Sequence, residues 1–503
     1  MPDYSPARLL DDAPEAFVST TIVSREVSRR LRTGRLRKLA SRLYTTNMAE
    51  APETVVRRNL WGIVAGYFPG ALIADRTALE NEPAPDGSVC LVTRRGSTIH
   101  LPGITLRPRR GVGTLPTDRP FLHGLFLSST VRAYLDNLRP SRTRAGTLRR
   151  TLTPEEVEIR LDDLVRRAGA RAANRLRDDA RAIAAELDRG AELATLSNLV
   201  SSLTGTHAGR LATPMARARQ RGRPYDARRI EQFGTLHAAL RAEPPTMRTT
   251  VPRDGAQQTV LSFFEAYFSN CIEGTEFSVE EAAEIVFQGR IPADRPADAH
   301  DIEGTWRLTS DPDEMQRLPR DSSELLEILR HRHSTVLGSR PEVLPGEFKR
   351  KSNQSGGNVF VMPEDVVGTL EQAFPLYRGL ETAFQRAVFL MFLVSEVHPF
   401  ADGNGRVARL MMNAELTHCG EERIVIPTVY RGNYLAALRA MSHNNVTEPL
   451  IRSLDYAQRW TSAIRWRNLA AATHQLTKCN AFLESEVAEN QGQRLRMPES
   501  TDG

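Results

Sequence analysis

Lysine is scarce in this chain. Among 67 basic residues only Lys38, Lys349, Lys351 and Lys478 are lysines, so the net charge of +6 and the pI near 9.3 are arginine's doing. Codon composition in a GC-rich genome is the simplest source of such a bias, and the total is no argument for nucleic acid. Cysteine is equally rare. Cys90, Cys271, Cys419 and Cys479 stand far apart, which excludes a disulfide framework or a cysteine metal centre and predicts a reducing, cytoplasmic setting. No apolar run reaches the roughly 18–20 residues that span a bilayer; the longest leads through Ala387–Val394, so no membrane is expected as a partner. The start, Met1-Pro2-Asp3-Tyr4, has neither a basic nor an apolar region of the secretory kind. With 40% apolar and 25% charged residues the chain has a globular composition, and 503 residues predict two or three domains.

One stretch carries chemistry: His398-Pro399-Phe400-Ala401-Asp402-Gly403-Asn404-Gly405-Arg406-Val407-Ala408-Arg409. The apolar run before it predicts a buried helix, and Val407, Leu410, Met411 and Ala414 predict a second helix beginning near Asn404. The segment between is a tight loop feeding a helix N-terminus, where Gly403 and Gly405 permit close backbone approach and free N–H groups cradle an anion. Arg406 and Arg409, three apart, share one face of that helix. Cations there oppose the helix dipole by about 0.3–1 kcal/mol each, a cost that a bound polyphosphate reverses. Asp402 is a hard oxygen ligand of the kind Mg²⁺ on phosphates takes. His398 is the loop's one group that exchanges a proton near neutral pH.

These residues match the signature H-P-F-x-D/E-G-N-G-R-x-x-R, and the chain resembles the Fic family. The resemblance implies a helical core that transfers AMP from ATP to a Tyr, Ser or Thr hydroxyl of a protein target. In that chemistry His398 deprotonates the hydroxyl and Asp402 holds Mg²⁺ on the α and β phosphates. The Gly403–Asn404–Gly405 amides cradle the same phosphates, Arg406 neutralises the β phosphate and Arg409 the γ phosphate.

Upstream, Ser269-Asn270-Cys271-Ile272-Glu273-Gly274 ends a helix expected over Gln257–Ile272. It is similar to the inhibitory motif of Fic proteins that carry their inhibitor N-terminally. Ser269, Glu273 and Gly274 are its matching positions, and Glu273, an anion at a helix C-terminus, calls for a facing cation; Arg409 is the expected partner. Pro345–Pro363 predicts a β-hairpin. In Fic proteins a flap at this place pairs with the target's backbone, with Val359 and Phe360 at its edge; Phe360 reads either as a clamp on the target side chain or as a plain core contact. Tyr434 fits the family's adenine contact, while Leu435 and Ser442 depart from the expected Tyr and Asn. The phosphorylating Fic relatives usually carry Lys where this chain has Gly405. Removal of AMP, with Glu273 activating water, is a further alternative.

The fold expected is mainly α: a Fic-type helical core with a short β flap, preceded by a small winged helix-turn-helix domain and a helical connector. Residues 1–17 read as a tail, 18–138 as the winged-helix part, 139–250 as the connector, 251–470 as the Fic domain and 471–503 as a polar tail. The basic helix Ser24–Arg32, the turn at Gly34 and the basic Arg35–Arg42 carry the winged-helix reading, which resembles AbiEi-type antitoxins. It makes duplex DNA a candidate partner and a DNA-binding regulator the alternative function. Arg139–Gly146 reads as a linker and Gly205–Pro224 as a loop, with Thr153-Pro154-Glu155-Glu156 opening a helix between them. A homo-oligomer is left open.

Overall fold

A computed structural model describes residues 6–94, 96–142, 148–207, 209–242, 248–355 and 357–499. The chain is mainly helical and divides into two compact units, residues 1–222 and 223–503.

The first unit opens with a three-stranded antiparallel sheet in the order Ala16–Val18, Leu43–Thr45, Arg37–Ala40. Helix Ser24–Arg32 lies between the first of these strands and the other two in sequence. It buries Val27 beside Leu10, Val23 and Leu36, and its Glu26 pairs with Arg29 and Arg30 one turn on. A six-stranded mixed sheet follows in the order Ile99–Leu101, Ile104–Arg109, Ser88–Val92, Leu72–Ile73, Phe126–Leu127, Arg119–Pro120. Ser88–Val92 is buried at every position, as a central strand should be. Helices Pro52–Arg58 and Leu60–Tyr67 share one core with this sheet.

Helix Pro154–Ile183 begins at Thr153, whose side chain accepts from Glu156 N–H while Glu156 reaches back, a reciprocal cap. It is interrupted at Gly169 (φ 75°). With helices Gly190–Leu203 and Pro214–Gln220 it packs around Tyr134 and Leu135 of helix Thr130–Leu138. The residues after 139 therefore extend the N-terminal core instead of linking it to the next, and 205–224, expected as loop, includes a helical turn over Pro214–Gln220. Residues 143–147 of the expected linker lie outside the described residues.

In the second unit helix Ala383–Val397 is fully enclosed, with Ala387 through Val394 at 0% exposure. Helix Ala227–Ala242, assigned to the connector by composition, packs here: Phe233 meets Phe389 and Phe392 edge-on, with centroids 6.1 and 5.9 Å apart. The division thus falls after Gly222 and not near Val251. A second core gathers Phe263, Phe264 and Phe268 of helix Gly255–Ile272 with Trp460, Trp466, Leu476 and Leu495. The polar tail expected from 471 is thereby corrected. Helices Leu469–Lys478 and Ser485–Asn490 are docked by a few apolar side chains, and Trp460 Nε1 donates to the Arg496 carbonyl at 3.0 Å.

Candidate active site

The loop from His398 to Gly403 joins helix Ala383–Val397 to helix Asn404–His418. His398 is in the left-handed region (φ 52°, ψ 59°) and closes the first helix by donating its N–H to the Val394 carbonyl. Gly403 (φ 72°) opens the second, and a Cβ there would stand 2.7 Å from Leu337 Cδ1. The Asn404 side chain is turned inward. It is buried, its Oδ1 accepting from Phe400 N–H (2.8 Å) and its Nδ2 donating to the Phe400 carbonyl (3.0 Å), and so pins the loop. The N–H groups of the first helical turn lack intrahelical acceptors by geometry.

His398 Nδ1 faces the Ser395 carbonyl at 3.2 Å. That bond assigns the proton to Nδ1 and leaves the Nε2 lone pair as a base. Burial, helped by the nearby Lys349 charge and opposed by the Ser395 carbonyl, pulls its pKa down to about 4. The imidazole is therefore neutral at physiological pH. Phe360 of the flap lies flat on it, centroids 3.8 Å apart and planes at 5°.

The flap is a two-residue ladder, Gln354–Ser355 against Asn358–Val359. Arg229, buried on helix Ala227–Ala242, holds it by donating to Asn358 Oδ1 (3.1 Å) and the Val359 carbonyl (2.9 Å). The same guanidinium pairs with Glu396, two residues before His398. Glu396 also accepts from Ser442 Oγ at 2.5 Å. Val359 is half exposed.

Glu273 stands at the C-terminal end of helix Gly255–Ile272, followed by Gly274 at φ 93°. Its Oε1 accepts from an Arg409 terminal nitrogen at 2.7 Å. A Cβ on Gly405 would collide with that same oxygen, so the carboxylate lies on the first turn of the motif helix in a notch only glycine leaves. Arg409 is further held by Ser269, donating to Oγ at 2.9 Å and to the carbonyl at 2.8 Å. The dipole cost of an acid at a helix C-terminus is offset by Arg409 and by Arg431, whose Nε donates to the Ile272 carbonyl (2.7 Å). The void beside Arg409, lined also by Ser269, Thr305 and Asn413, is only about 10 Å³, at most room for one water.

Two expected roles look different in place. Arg406 is 3% exposed and committed internally: it donates to Asp301 Oδ2 at 2.5 Å and to Asn270 Oδ1 at 3.3 Å, with Arg340 on the other side of the same Asp301. Tyr434 is 1% exposed, its hydroxyl 3.3 Å from Met391 Sδ. It is enclosed in the core, with Arg409 among its polar neighbours, and offers no open face for a base. Asp402 is the exposed carboxylate of the loop. Its Oδ1 accepts from Gly403 N–H (2.7 Å), its Oδ2 lies 3.8 Å from an Arg406 terminal nitrogen, and the side chain is 54% exposed. Among the described residues there is no cluster of three or more His, Cys, Asp or Glu that could hold a metal ion.

Sequence reasoning missed His333. Its ring stacks on Phe400 (3.9 Å, 6°), its Nδ1 accepts from Gly346 N–H (2.9 Å) and its Nε2 faces the Asp402 carbonyl (3.1 Å). Burial lowers its pKa to about 4, so it is a neutral strut under the loop. Asp301 and Arg229 were missed as well.

A family model for the Fic/DOC family matches residues 323–416. Residues 323–416 form a Fic/DOC domain. The Protein adenylyltransferase Fic of Drosophila persimilis is 29% identical over 193 residues, 37% of this chain and 36% of that protein. Its counterpart in Drosophila virilis is 30% identical over 143 residues, 27% and 28% of the two chains. The chain thus spans about a third of the length of these curated relatives. Among solved structures, a Fic domain containing signaling protein from Bacteroides thetaiotaomicron aligns with TM-score 0.38 and 22% identity, covering 49% of this chain and 97% of that one. Fic-1 from C. elegans aligns with TM-score 0.35 and 17% identity, covering 68% and 98%.

The Fic domain's matched span holds the His398–Arg409 loop, the flap and His333. Ser269, Glu273 and Tyr434 lie outside it and reach the Fic loop by packing.

Proposed function

We propose that this protein transfers AMP from ATP to a hydroxyl side chain of a protein target, and that Glu273 holds the reaction off. A neutral His398 with a free Nε2 beside a glycine-lined helix N-terminus carries the reading. The incoming hydroxyl oxygen bonds to the α phosphorus as its proton passes to Nε2. The bond from that phosphorus to the bridging oxygen breaks, and pyrophosphate leaves with the electron pair. The first-turn N–H groups and Arg409 stabilise the charge growing on the leaving phosphates. Arg406, now held by Asp301, supports the loop or is released when a nucleotide arrives. Mg²⁺, held by Asp402 and the phosphates, would supply charge neutralisation there. Glu273 occupies the ground a γ phosphate needs. The adenine contact is reassigned away from Tyr434, which is enclosed.

The test is ATP labelled at either the α or the γ phosphate. Protein-bound label from the α position is expected; label from γ alone would mean phosphorylation and end this reading.

The cytoplasm is the proposed compartment, with all four cysteines free; no described helix is long and apolar enough to cross a membrane. A second activity, duplex DNA binding by the N-terminal sheet and helix Ser24–Arg32, is favoured by one observation: Arg25, Arg32, Arg35 and Lys38 are all exposed on neighbouring elements. Its test is salt dependence. Each phosphate contact releases a counterion, so replacing Arg32, Arg35 and Lys38 together should flatten the slope; undetectable binding at low salt would remove this activity.

A further inference from the structure

Lys349 precedes the flap strand Gln354–Ser355 and is 5% exposed. It grips the chain on both sides of His398. Its N–H donates to the Pro399 carbonyl at 2.8 Å, and its Nζ donates to the Val397 carbonyl at 3.3 Å. The same Nζ donates to Asn353 Oδ1 at 2.7 Å. Asn353 in turn donates from Nδ2 to the Phe400 carbonyl at 2.9 Å, and its own carbonyl accepts from Phe360 N–H at 3.2 Å. Lys349 and Asn353 thereby tie Val397, Pro399 and Phe400 to the flap residue whose ring lies on His398.

This clamp answers two needs of the backbone. His398 is a non-glycine residue in the left-handed region, a conformation that persists only where the surroundings hold it. Val397 ends helix Ala383–Val397, and the last carbonyls of a helix lack N–H partners and favour a cation. Lys349 supplies both the holding bonds and the cation.

That cation is buried without a counter-charge. Its bonds go to neutral oxygens, and no carboxylate pairs with it among the described residues. Arg229, itself paired with Glu396, is the charge that bears on it. Its Nζ lies 5.9 Å from the centroid of the Phe360 ring that covers His398. Burial first, then Arg229, pushes its pKa down to about 7, so Lys349 is charged through the acid range in which His398 titrates. The charged groups that act on His398 are Lys349, Glu273 and Asp402. Lys349 opposes protonation of the ring, and the two carboxylates favour it.

We propose that Lys349 is a positioning residue for the base: its bonds fix the backbone on either side of His398, and its buried charge faces the ring. The inference rests on the AMP-transfer reading above, and it adds Asn353 as the second half of the clamp.

The experiment uses the full chain and two variants. Lys349→Met keeps the length of the side chain without its charge or donors, whereas Asn353→Ala loosens the clamp and leaves the charge. With ring-labelled histidine, the His398 signal, identified by its loss in His398→Ala, is titrated by NMR. Its pKa is expected at about 4 in the wild type. It should rise by about one unit in Lys349→Met and stay low in Asn353→Ala. Transfer of α label is then measured in the Glu273→Gly background. Both variants should lose about tenfold or more in kcat while KM for ATP stays within about twofold, since about 1 Å of misplacement at the base costs on the order of 10²-fold. Lys349→Arg, which keeps charge and donors, should restore the low His398 pKa and part of kcat. An unmoved His398 titration in folded Lys349→Met would overturn the proposal, as would undiminished kcat in both variants or equal losses in kcat and ATP affinity. Should Lys349→Met fail to fold, undiminished kcat in Asn353→Ala alone overturns it. Absence of α label from Glu273→Gly itself would end the AMP-transfer reading instead, and the two failures are distinct because the His398 titration needs no ATP.

Discussion

The Phe360 ring covers His398 face to face at 3.8 Å, and the strand Asn358–Val359 that leads into Phe360 is fixed by Arg229, which also grips Glu396 just before that histidine. Flap and base are thus tied to one buried guanidinium. The arrangement leaves Nε2, not the ring face, as the approach for an incoming hydroxyl.

Replacing His398 with Ala should leave ATP binding within about twofold, because the cradle is built from Gly403, Gly405 and Arg409, while transfer falls by about 10²–10⁴, the usual value of a positioned base. ATP titration and labelled transfer, run on the same preparation, separate the two. Undiminished transfer would remove His398 from the role of base.

The pH dependence follows from burial. His398 and His333 have pKa values lowered from 6.5 to about 4. The acid limb of kcat/KM should therefore lie near pH 4 and not near 6.5, with the base ready throughout the neutral range. For stability the sign is the reverse of a salt-bridged histidine. Between pH 6.5 and 4 the unfolded chain binds protons that the folded chain refuses, so stability declines as pH falls through that window. Chemical denaturation at stepped pH checks this.

Arg229→Ala should raise KM for the protein target and lower kcat, since it frees the flap edge and leaves Glu396 buried without its partner, while ATP affinity stays unchanged. Arg229→Lys should restore part of the effect through the Glu396 pair but not the bond to the Val359 carbonyl, because lysine lacks the forked donors. Equal losses in ATP and target binding would instead mark general misfolding.

The loop was legible because it is local: twelve consecutive residues hold His398, Asp402, the two glycines and both arginines, and helix periodicity flanks them. Glu273 was legible for the same reason, sitting at a helix end that a glycine announces. The supporting groups were not. Arg229, Asp301 and His333 lie 65 to 169 residues before His398 and act by packing, which leaves no period or spacing to read. Arg406 and Tyr434 illustrate the complementary limit. Motif position names them, yet Asp301 claims one and the core encloses the other. Composition misassigned the connector and the tail, since a few well-spaced apolar residues, Phe233 or Leu476 and Leu495, suffice to dock a polar segment.

Phe233→Ala tests the assignment of helix Ala227–Ala242 to the second unit. Removing a fully buried phenylalanine should cost about 3–5 kcal/mol, read as a lower melting temperature for the unit containing Trp460. No change in that transition would return the helix to the connector.

The account rests on Arg409 serving either Glu273 or a γ phosphate but not both. A displaced γ phosphate misaims the α phosphate, and about 1 Å of misplacement costs on the order of 10²-fold in rate. The deciding measurement is transfer of label from the α phosphate of ATP onto protein by the wild type, Glu273→Gly and Glu273→Gly with His398→Ala, side by side. The predicted result is weak labelling in the wild type, a rise of about 10- to 100-fold in Glu273→Gly, and none in the double variant. Equal labelling by wild type and Glu273→Gly would contradict the inhibitory role, and loss of activity in Glu273→Gly would point to the reverse reaction, with Glu273 activating water.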